Sequence, residues 1–446
     1  MFLDLKEALN FKVISGDMIG ADFCRDEYPG ESYVPEAVVE VKSTEEVSAV
    51  LRLCNEHCIP VTVRGAGTGQ VGGSVPVKGG IVLSLKNMDQ MLEYNHEAHT
   101  LRVQPGVLLQ AVKAAAESHG MCYPPDPGEQ TATIGGNAAT NAGGPCAIKY
   151  GKTRDYITDA TIVLADGTIT NLAGNEDVIG SEGTLAVITE LNLKLIEKPG
   201  ADAILLLPFV DTESAIFAAK AIVSAGFEPA VVEYMDTDLI EFSGKVTGAP
   251  VFPVEMDGER VGCTLMVTIE GNDDDDVMEK MEAVAGLVEE GEIEPQDILV
   301  GDTPSMKREF WAAHSAFHTS VESGAKSAFE VNVDIPVDAI AEMLSFAKES
   351  CQAEGLTAYI HAHVMSGGMH IYVVSDKSRD ESTKAAKAVR GALYAKVSEL
   401  GGNIAGEYGI GYAKMEYLSE GRKAVLLVKK TALDPKGILN PGKIIG

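Results

Sequence analysis

Apolar and polar positions alternate with changing period along the chain, and the changes divide it. The run AVVEV (37–41) reads as a strand. Ser43 stands three residues before Glu46, the spacing of a helix-capping box. Val47, Val50, Leu51, Cys54 and Cys58 then recur on one helical face, which predicts that both thiols face the core. Pro60 marks entry to a strand, VTVRG, that runs straight into glycines. GIVLSL (80–85) and TLRVQPG (100–106) predict further strands, followed by a helix over 107–119. Asp166-Gly167 predicts a hairpin turn between ATIVLA and TITNL. Another strand pair is expected over 184–196.

After Pro199-Gly200 the pattern changes. The strand ILLLPF, a helix over 212–225, the strands AVVEY and CTLMVTIE and a helix over 277–290 predict an antiparallel α+β region. The run Asp273 to Asp276 reads as a solvated loop or helix start. Helices over 304–322 and 337–354 flank the strand SAFEVNVDIP; a hairpin (356–376) and a helix (379–400) follow. The last segment is glycine-rich at first and ends in NPGKIIG.

Charge and composition narrow the partners. Asp and Glu outnumber Lys and Arg by 66 to 36, a net charge of −30. This argues against nucleic acid and against an anionic membrane surface, both of which select basic footprints. No apolar run is long enough for a transmembrane helix. The start, MFLDLKEALNFK, lacks the basic end and apolar run of a signal peptide. Seven scattered cysteines without a CxxC predict neither a disulfide framework nor a cysteine zinc site, so the cytoplasm is the expected compartment.

Two glycine segments carry the first candidate chemistry. Arg64-Gly65-Ala66-Gly67-Thr68-Gly69 leaves a strand with no helical pattern directly after it, which excludes a nicotinamide Rossmann fingerprint. Residues 123–144 are nearly uncharged and rich in Gly, Asn, Ala and Thr. A backbone wrapped around an extended, phosphate-bearing ligand explains both segments; a flexible loop is the alternative. The second candidate is a histidine cluster, five of nine lying within 314–370. A turn centred on Ser366-Gly367 would put His363 directly opposite His370, with Cβ atoms roughly 5 Å apart. His361 would share that face. The arrangement suits a divalent metal, or else a hydrogen-bonded structural pair.

The runs PVTVRGAGTGQVGGSVP, YPPDPGEQTATIGGNAATNAGG, KYGKTRDY, IGSEGTLAVIT and LDPKGILNPGKII resemble the FAD-linked D-lactate, D-2-hydroxyglutarate and glycolate dehydrogenases. That family belongs to the vanillyl-alcohol-oxidase type of flavoprotein. The resemblance covers nearly the whole chain and looks closest to lactate dehydrogenases that work with an electron-transferring flavoprotein. It implies an α+β fold: a two-part FAD-binding domain (1–197, with a C-terminal return over 401–446) and an α+β cap domain (198–400). It implies that Gly65, Ala66, Gly67, Thr68 and Gly69, with Thr133, Gly135, Gly136, Asn137, Thr140, Asn141, Gly143 and Gly144, cradle the pyrophosphate. Glu182, Gly183 and Ile188 would lie near the adenosine half, and Asn440 would approach the flavin. Arg64, Pro125 and Tyr150 complete the implied cofactor set. The family's metal motif falls on His363, His370 and Glu407, for Zn, Mn or Fe. Such a metal would hold the substrate's hydroxyl and carboxylate and aim its α-carbon at flavin N5.

The chain departs from the family where substrate and proton are handled. Tyr408 stands where the family has a histidine, and an unperturbed tyrosine is a poor base at neutral pH. His314 occupies the place of a carboxylate-binding arginine, with His318 one turn on, and Glu330 aligns near a lysine; Arg308 or Lys326 would have to compensate. Met365 to Met369 replaces a Gly-Asp-Gly-Asn-Leu turn, and residues 174–180 are short. Retained flavin binding with altered substrate recognition is therefore expected. The leading expectation is an FAD-dependent dehydrogenase of a 2-hydroxy acid or related alcohol, with Tyr408, His314 and His361 as catalytic candidates. Electrons would leave to an electron-transferring flavoprotein or quinone, and a homo-oligomer is compatible. The rivals are an electron-relay flavoprotein subunit and a metal-dependent hydrolase, the latter giving the glycine segments no task.

Overall fold

The first four strands are short and join one sheet, with the wholly buried Ala37–Glu40 and Ile81–Ser84 at its centre. The computed structural model describes residues 12–445; residues 1–11, most of the segment read above for a signal peptide, lie outside the described residues. β1 (Lys12–Ser15), β2 (Ala37–Glu40), β3 (Val61–Arg64) and β4 (Ile81–Ser84) lie in the order β1-β2-β4-β3. β4 runs parallel to β2 and β3, which requires a crossover. The helix α1 (Thr44–His57) follows β2 and buries Val47, Val50, Leu51 and Cys54 in one cluster with Val39, Ile81 and Leu83. Ser43 Oγ accepts from the Glu46 N–H at 3.2 Å, and the Glu46 carboxylate accepts from the Lys42 N–H at 2.7 Å. Cys58 does not share the buried face, contrary to the periodicity. It is the residue just beyond the helix, in the left-handed region (φ 53°), and its thiol is exposed.

A second, antiparallel sheet holds β5 (Met91–Asn95), β6 (Thr100–Val103), β7 (Ile157–Val163), β8 (Ile169–Asn171) and β9 (Val187–Lys194), in the order β5-β6-β9-β7-β8. Asp166-Gly167 closes β7 onto β8: the Thr168 N–H donates to Asp166 Oδ1 at 2.8 Å, and Gly167 takes φ 85°. The sequence reading missed the helix over Glu420–Leu433 that brings the chain back to this unit. Its buried Lys430 donates to the carbonyls of Thr184 and Leu439 and to Asp434, so the buried charge is compensated. Beyond it the Val61 N–H donates to Ile438 O (2.8 Å) and the Asn440 N–H to Val61 O (2.7 Å). This first unit comprises the chain up to Gly143, Gly151–Lys198 and the part from Glu407.

The second unit holds Gly144–Tyr150 and Pro199–Gly406. It is built on a seven-stranded antiparallel sheet: β10 (Ala201–Phe209), β11 (Val231–Asp236), β12 (Cys263–Gly271), β13 (Leu299–Gly301), β14 (Ser327–Asp334), β15 (Thr357–His363) and β16 (Gly368–Ser375). The order is β13-β10-β12-β11-β15-β16-β14. Every residue of β16 is buried, so both faces of the sheet are covered there. Asp273 caps the helix Asp274–Glu289 by accepting the Asp276 N–H, which gives the aspartate run a structural task. The helix α2 (Pro304–Gly324) starts at Thr303, whose Oγ1 accepts the Met306 N–H. It packs Phe310, Phe317 and Val321 against Met235, Met266, Tyr372 and Val374. Among the described residues no helix is long and apolar enough to cross a membrane.

Candidate functional site

In the first unit the two glycine segments meet. A Cβ on Gly65 would lie 2.2 Å from Thr133 Oγ1, so only glycine permits the approach. No helix follows within residues 65–80, as the absence of a Rossmann pattern required. The second segment, by contrast, contains a short helix, Ile134–Thr140, capped by Thr133 Oγ1 on the Gly136 N–H. Asn141, at φ 53°, ends it. Gly67 is crowded by the Arg64 guanidinium, which donates to Arg25 O and Ser74 Oγ.

Behind these loops lies a buried polar strut. Glu182 accepts the Ile410 and Gly411 N–H groups at 2.7 and 2.8 Å. Asn440 Nδ2 donates to the carbonyls of Gly73 and Glu182, and Lys443 Nζ donates to Asn440 Oδ1 at 2.6 Å. Burial pushes the Glu182 carboxyl up, and it pushes Lys443 down to about 7 and Asp26 up to about 6. Beside this strut and the short helix, Ser181 Oγ and Asn137 Nδ2 are buried without a hydrogen-bond partner among the described residues. Each such atom costs about 1–3 kcal/mol unless a ligand satisfies it. The loops and these two atoms fit a polar, phosphate-bearing cofactor. Gly183 (φ 71°) packs on Val63, Pro125 and Ile188 are buried, and Thr140 Oγ1 bonds Gly136 O.

In the second unit a sheet face and a helix face converge on histidines. The hairpin register pairs His361 with His370 and His363 with Gly368. This corrects the turn read from the sequence. The connection spans the four residues 364–367, and the register is two residues away from the one expected. A shift of two keeps every side chain on its face, so His361, His363 and His370 still point the same way. Across the neighbouring strands Glu233 pairs with His363, Asn332 with His370 and Glu330 with Tyr372.

Each of the two principal imidazoles is held by a carboxylate. His363 Nδ1 lies 2.6 Å from Glu233 Oε1, and His370 Nδ1 lies 2.7 Å from Glu330 Oε1. The two Nε2 atoms are 3.3 Å apart. With Nδ1–H donated to a carboxylate, each ring would present Nε2 to an ion, the usual orientation of a metal-binding histidine. Two nitrogens at about 2.05 Å from a tetrahedral ion would be about 3.3 Å apart, which matches. α2 adds His314 Nε2, 3.0 Å from Glu233 Oε2, and His318 Nδ1, 3.1 Å from Glu330 Oε2. Burial would raise both carboxyls, but the imidazoles around Glu233 (His363, His314, His361) and around Glu330 (His318, His370) hold them well below the ordinary range. His361 bonds Tyr372 through Nε2 at 3.1 Å and stacks on His370; burial, then His370, lowers it to about 3.

The second unit thus gathers His314, His361, His363 and His370, all singled out in the sequence. Gly144 and Tyr150, read there with the cofactor loops, group with this unit, where the Tyr150 hydroxyl bonds Glu270. Glu407 and Tyr408 open the last segment of the first unit, the Glu407 carboxylate close to Gly143. Sequence reasoning missed Glu233 and Lys443. The signal for each was present: one charged residue inside an otherwise uncharged run, AVVEYM and ILNPGKII.

A family model described as an FAD binding domain matches residues 35–173, and one described as the C-terminal domain of FAD linked oxidases matches 198–444. A D-lactate dehydrogenase of Anaerostipes hadrus is 39% identical, covering 100% of this chain and 97% of the relative. Glycolate oxidase subunit GlcD of Bacillus subtilis is 33% identical over 94% and 91%, and a D-lactate dehydrogenase of Archaeoglobus fulgidus 33% over 92% and 91%. In fold, the chain is similar to p-cresol methylhydroxylase with substrate bound (TM-score 0.78, 18% identity, 100% and 97% covered). It is also similar to alkyldihydroxyacetonephosphate synthase (TM-score 0.77, 19% identity, 99% and 84% covered).

Proposed function

This chain belongs to the FAD-linked oxidases, and from that premise we propose that it is a dehydrogenase of a 2-hydroxy acid of the lactate or glycolate type. The relatives named for D-lactate and glycolate support the substrate class. The observation that carries the metal-assisted form of the reaction is the pair of carboxylate-held imidazoles with Nε2 atoms 3.3 Å apart. His363 and His370 would hold a divalent ion (Zn, Mn or Fe), with Glu407 as third ligand by the sequence motif. Bound FAD supplies a hydride acceptor, and the ion supplies a Lewis acid that lowers the pKa of the substrate hydroxyl.

The chain's own residues do the rest. Glu233 and Glu330 fix the tautomers of His363 and His370. The hydroxyl proton leaves to Tyr408 or to an imidazole, His314 or His361. Glu330 accepts from two histidines and so offers no cation to the substrate carboxylate, which calls for recognition different from an arginine–lysine clamp. Electrons then pass to an electron-transferring flavoprotein or a quinone. The test is anaerobic titration of FAD- and metal-loaded protein with D-lactate, glycolate and D-2-hydroxyglutarate, followed by flavin absorbance. Bleaching by one of them is expected; a flavin that stays oxidised with all three would sink the proposal.

A further inference from the structure

A second set of donors lies in the same unit as His363 and His370. We propose that Glu233, His314 and His361 form a further divalent-cation site, of the two-histidine, one-carboxylate kind that suits Zn2+. The three come from β11, α2 and β15, so no sequence motif joins them.

Glu233, His314 and His361 each offer one donor atom, these atoms lie within 4.8 Å of one another, and all three residues are buried. Glu233 Oε2 is 3.0 Å from His314 Nε2 and 3.9 Å from His361 Nδ1. Ligands about 2.0–2.2 Å from one ion stand roughly 3–4 Å apart, so the spacing is that of a coordination sphere.

An independent observation points to a ligand. His361 Nδ1 is buried and has no hydrogen-bond partner among the described residues, while its Nε2 is engaged by the Tyr372 hydroxyl. At 3.9 Å the Glu233 carboxylate is too far to accept a proton from it. A direct His314–Glu233 ion pair would leave that nitrogen unsatisfied in the interior. A cation among the three atoms satisfies it together with the carboxylate. The ring cannot easily turn away, because it stacks on His370 with centroids 4.3 Å apart and planes 7° apart. Glu233 is placed to serve twice. Oε1 accepts from His363 Nδ1, and Oε2 faces the new site. Occupation of this site takes both imidazoles out of the role of proton acceptor and leaves that role to Tyr408.

The experiment uses full-length, FAD-containing protein, stripped of metal, dialysed against Zn2+ and passed over a chelating resin that removes ions held by the acidic surface. Zinc per chain is then measured. Two ions are expected in the wild type and one in each of His314→Ala, His361→Ala and Glu407→Ala. The last removes a proposed ligand of the first ion and leaves the new donors in place. Retention of the wild-type zinc content by both histidine variants overturns the proposal. So does a single wild-type ion that Glu407→Ala loses and His361→Ala keeps, a result that would leave the first site standing. Flavin absorbance and far-UV circular dichroism report folding of each variant. As a check free of the histidine substitutions, Co2+ added to Glu407→Ala should develop the intense visible d–d absorption of a tetrahedral nitrogen–oxygen site; its absence also overturns the site.

Discussion

In the flavin unit the residues of the proposed ligand loops are consecutive: 64–73 and 133–144, small and nearly uncharged. In the other unit the candidate chemistry is spread over β11, α2, β14, β15 and β16, and its parts are large, polar side chains that meet only through strand register and helix pitch. The first kind of site is written in local composition, because a backbone that must pass close to another backbone or to a ligand selects glycine wherever it does so. The second is written in pairings. Glu233 precedes its partner His363 by 130 residues, and nothing near either one announces the other. The two kinds should also fail differently.

The sharpest way to break the comparison is a pair of reciprocal variants. Gly65→Val pushes a branched side chain into Thr133 and is expected to cut bound flavin more than about tenfold while leaving zinc per chain unchanged. His370→Ala should do the reverse, keeping the flavin spectrum and lowering turnover by at least about 100-fold, the loss of several kcal/mol of Lewis-acid assistance. Flavin absorbance, zinc content and steady-state rate on the same samples decide it. If Gly65→Val also strips the metal, the sites are not separable.

A finer test keeps the ligands and removes a support. Glu330→Gln leaves His370 in place but without its charged acceptor, and metal affinity should fall about 10- to 100-fold in a competition titration. The matching change in the flavin unit is Glu182→Gln, which replaces an acceptor of two backbone N–H groups. The amide keeps one acceptor oxygen and loses the other, so the loss of one such bond predicts a destabilisation of about 1.5–3 kcal/mol in chemical denaturation, with zinc content unaffected.

The smallest effect is a pH dependence confined to the flavin unit. Folding raises the Asp26 carboxyl from an ordinary 3.8 to about 6. The folded state therefore holds the proton more tightly, and this contribution, fully present below about pH 4, is lost as pH rises through 6. Above pH 6 the ionised form costs at most about 3 kcal/mol. Asp26→Asn should flatten the melting profile between pH 4 and 6 and raise the melting temperature most at neutral pH. A variant profile parallel to wild type would exclude Asp26 as the source.

The legibility of the chain followed the same division. The Ser43 cap, the Asp166-Gly167 turn and the glycine segments were readable because each is a local requirement of the backbone. His363 and His370 were readable although the hairpin turn was misplaced, since the slip was by an even number of residues. Cys58 was misassigned because periodicity alone does not say where a helix stops. Glu233 and Glu330 were opaque as partners: a carboxylate on a strand looks the same whether it faces water or an imidazole until the register of four strands is known. Lys430 lies on a charge-rich late helix, where nothing in the local pattern distinguishes this buried lysine from its more exposed neighbours.

The return of the last forty or so residues to β3 bears on how the protein is made. β3 is an edge strand, and the Val61 N–H waits for Ile438 O to emerge from the ribosome. At roughly 5–20 residues per second the wait is on the order of half a minute. Through that interval a sticky sheet edge is exposed, while the stretch from Pro199 to Gly406 emerges in one piece and has its whole sheet to hand. Nascent chains halted between these two points should carry a protease-resistant middle and an unfinished flavin unit, and chaperones that mask strand edges would have their task set by this topology.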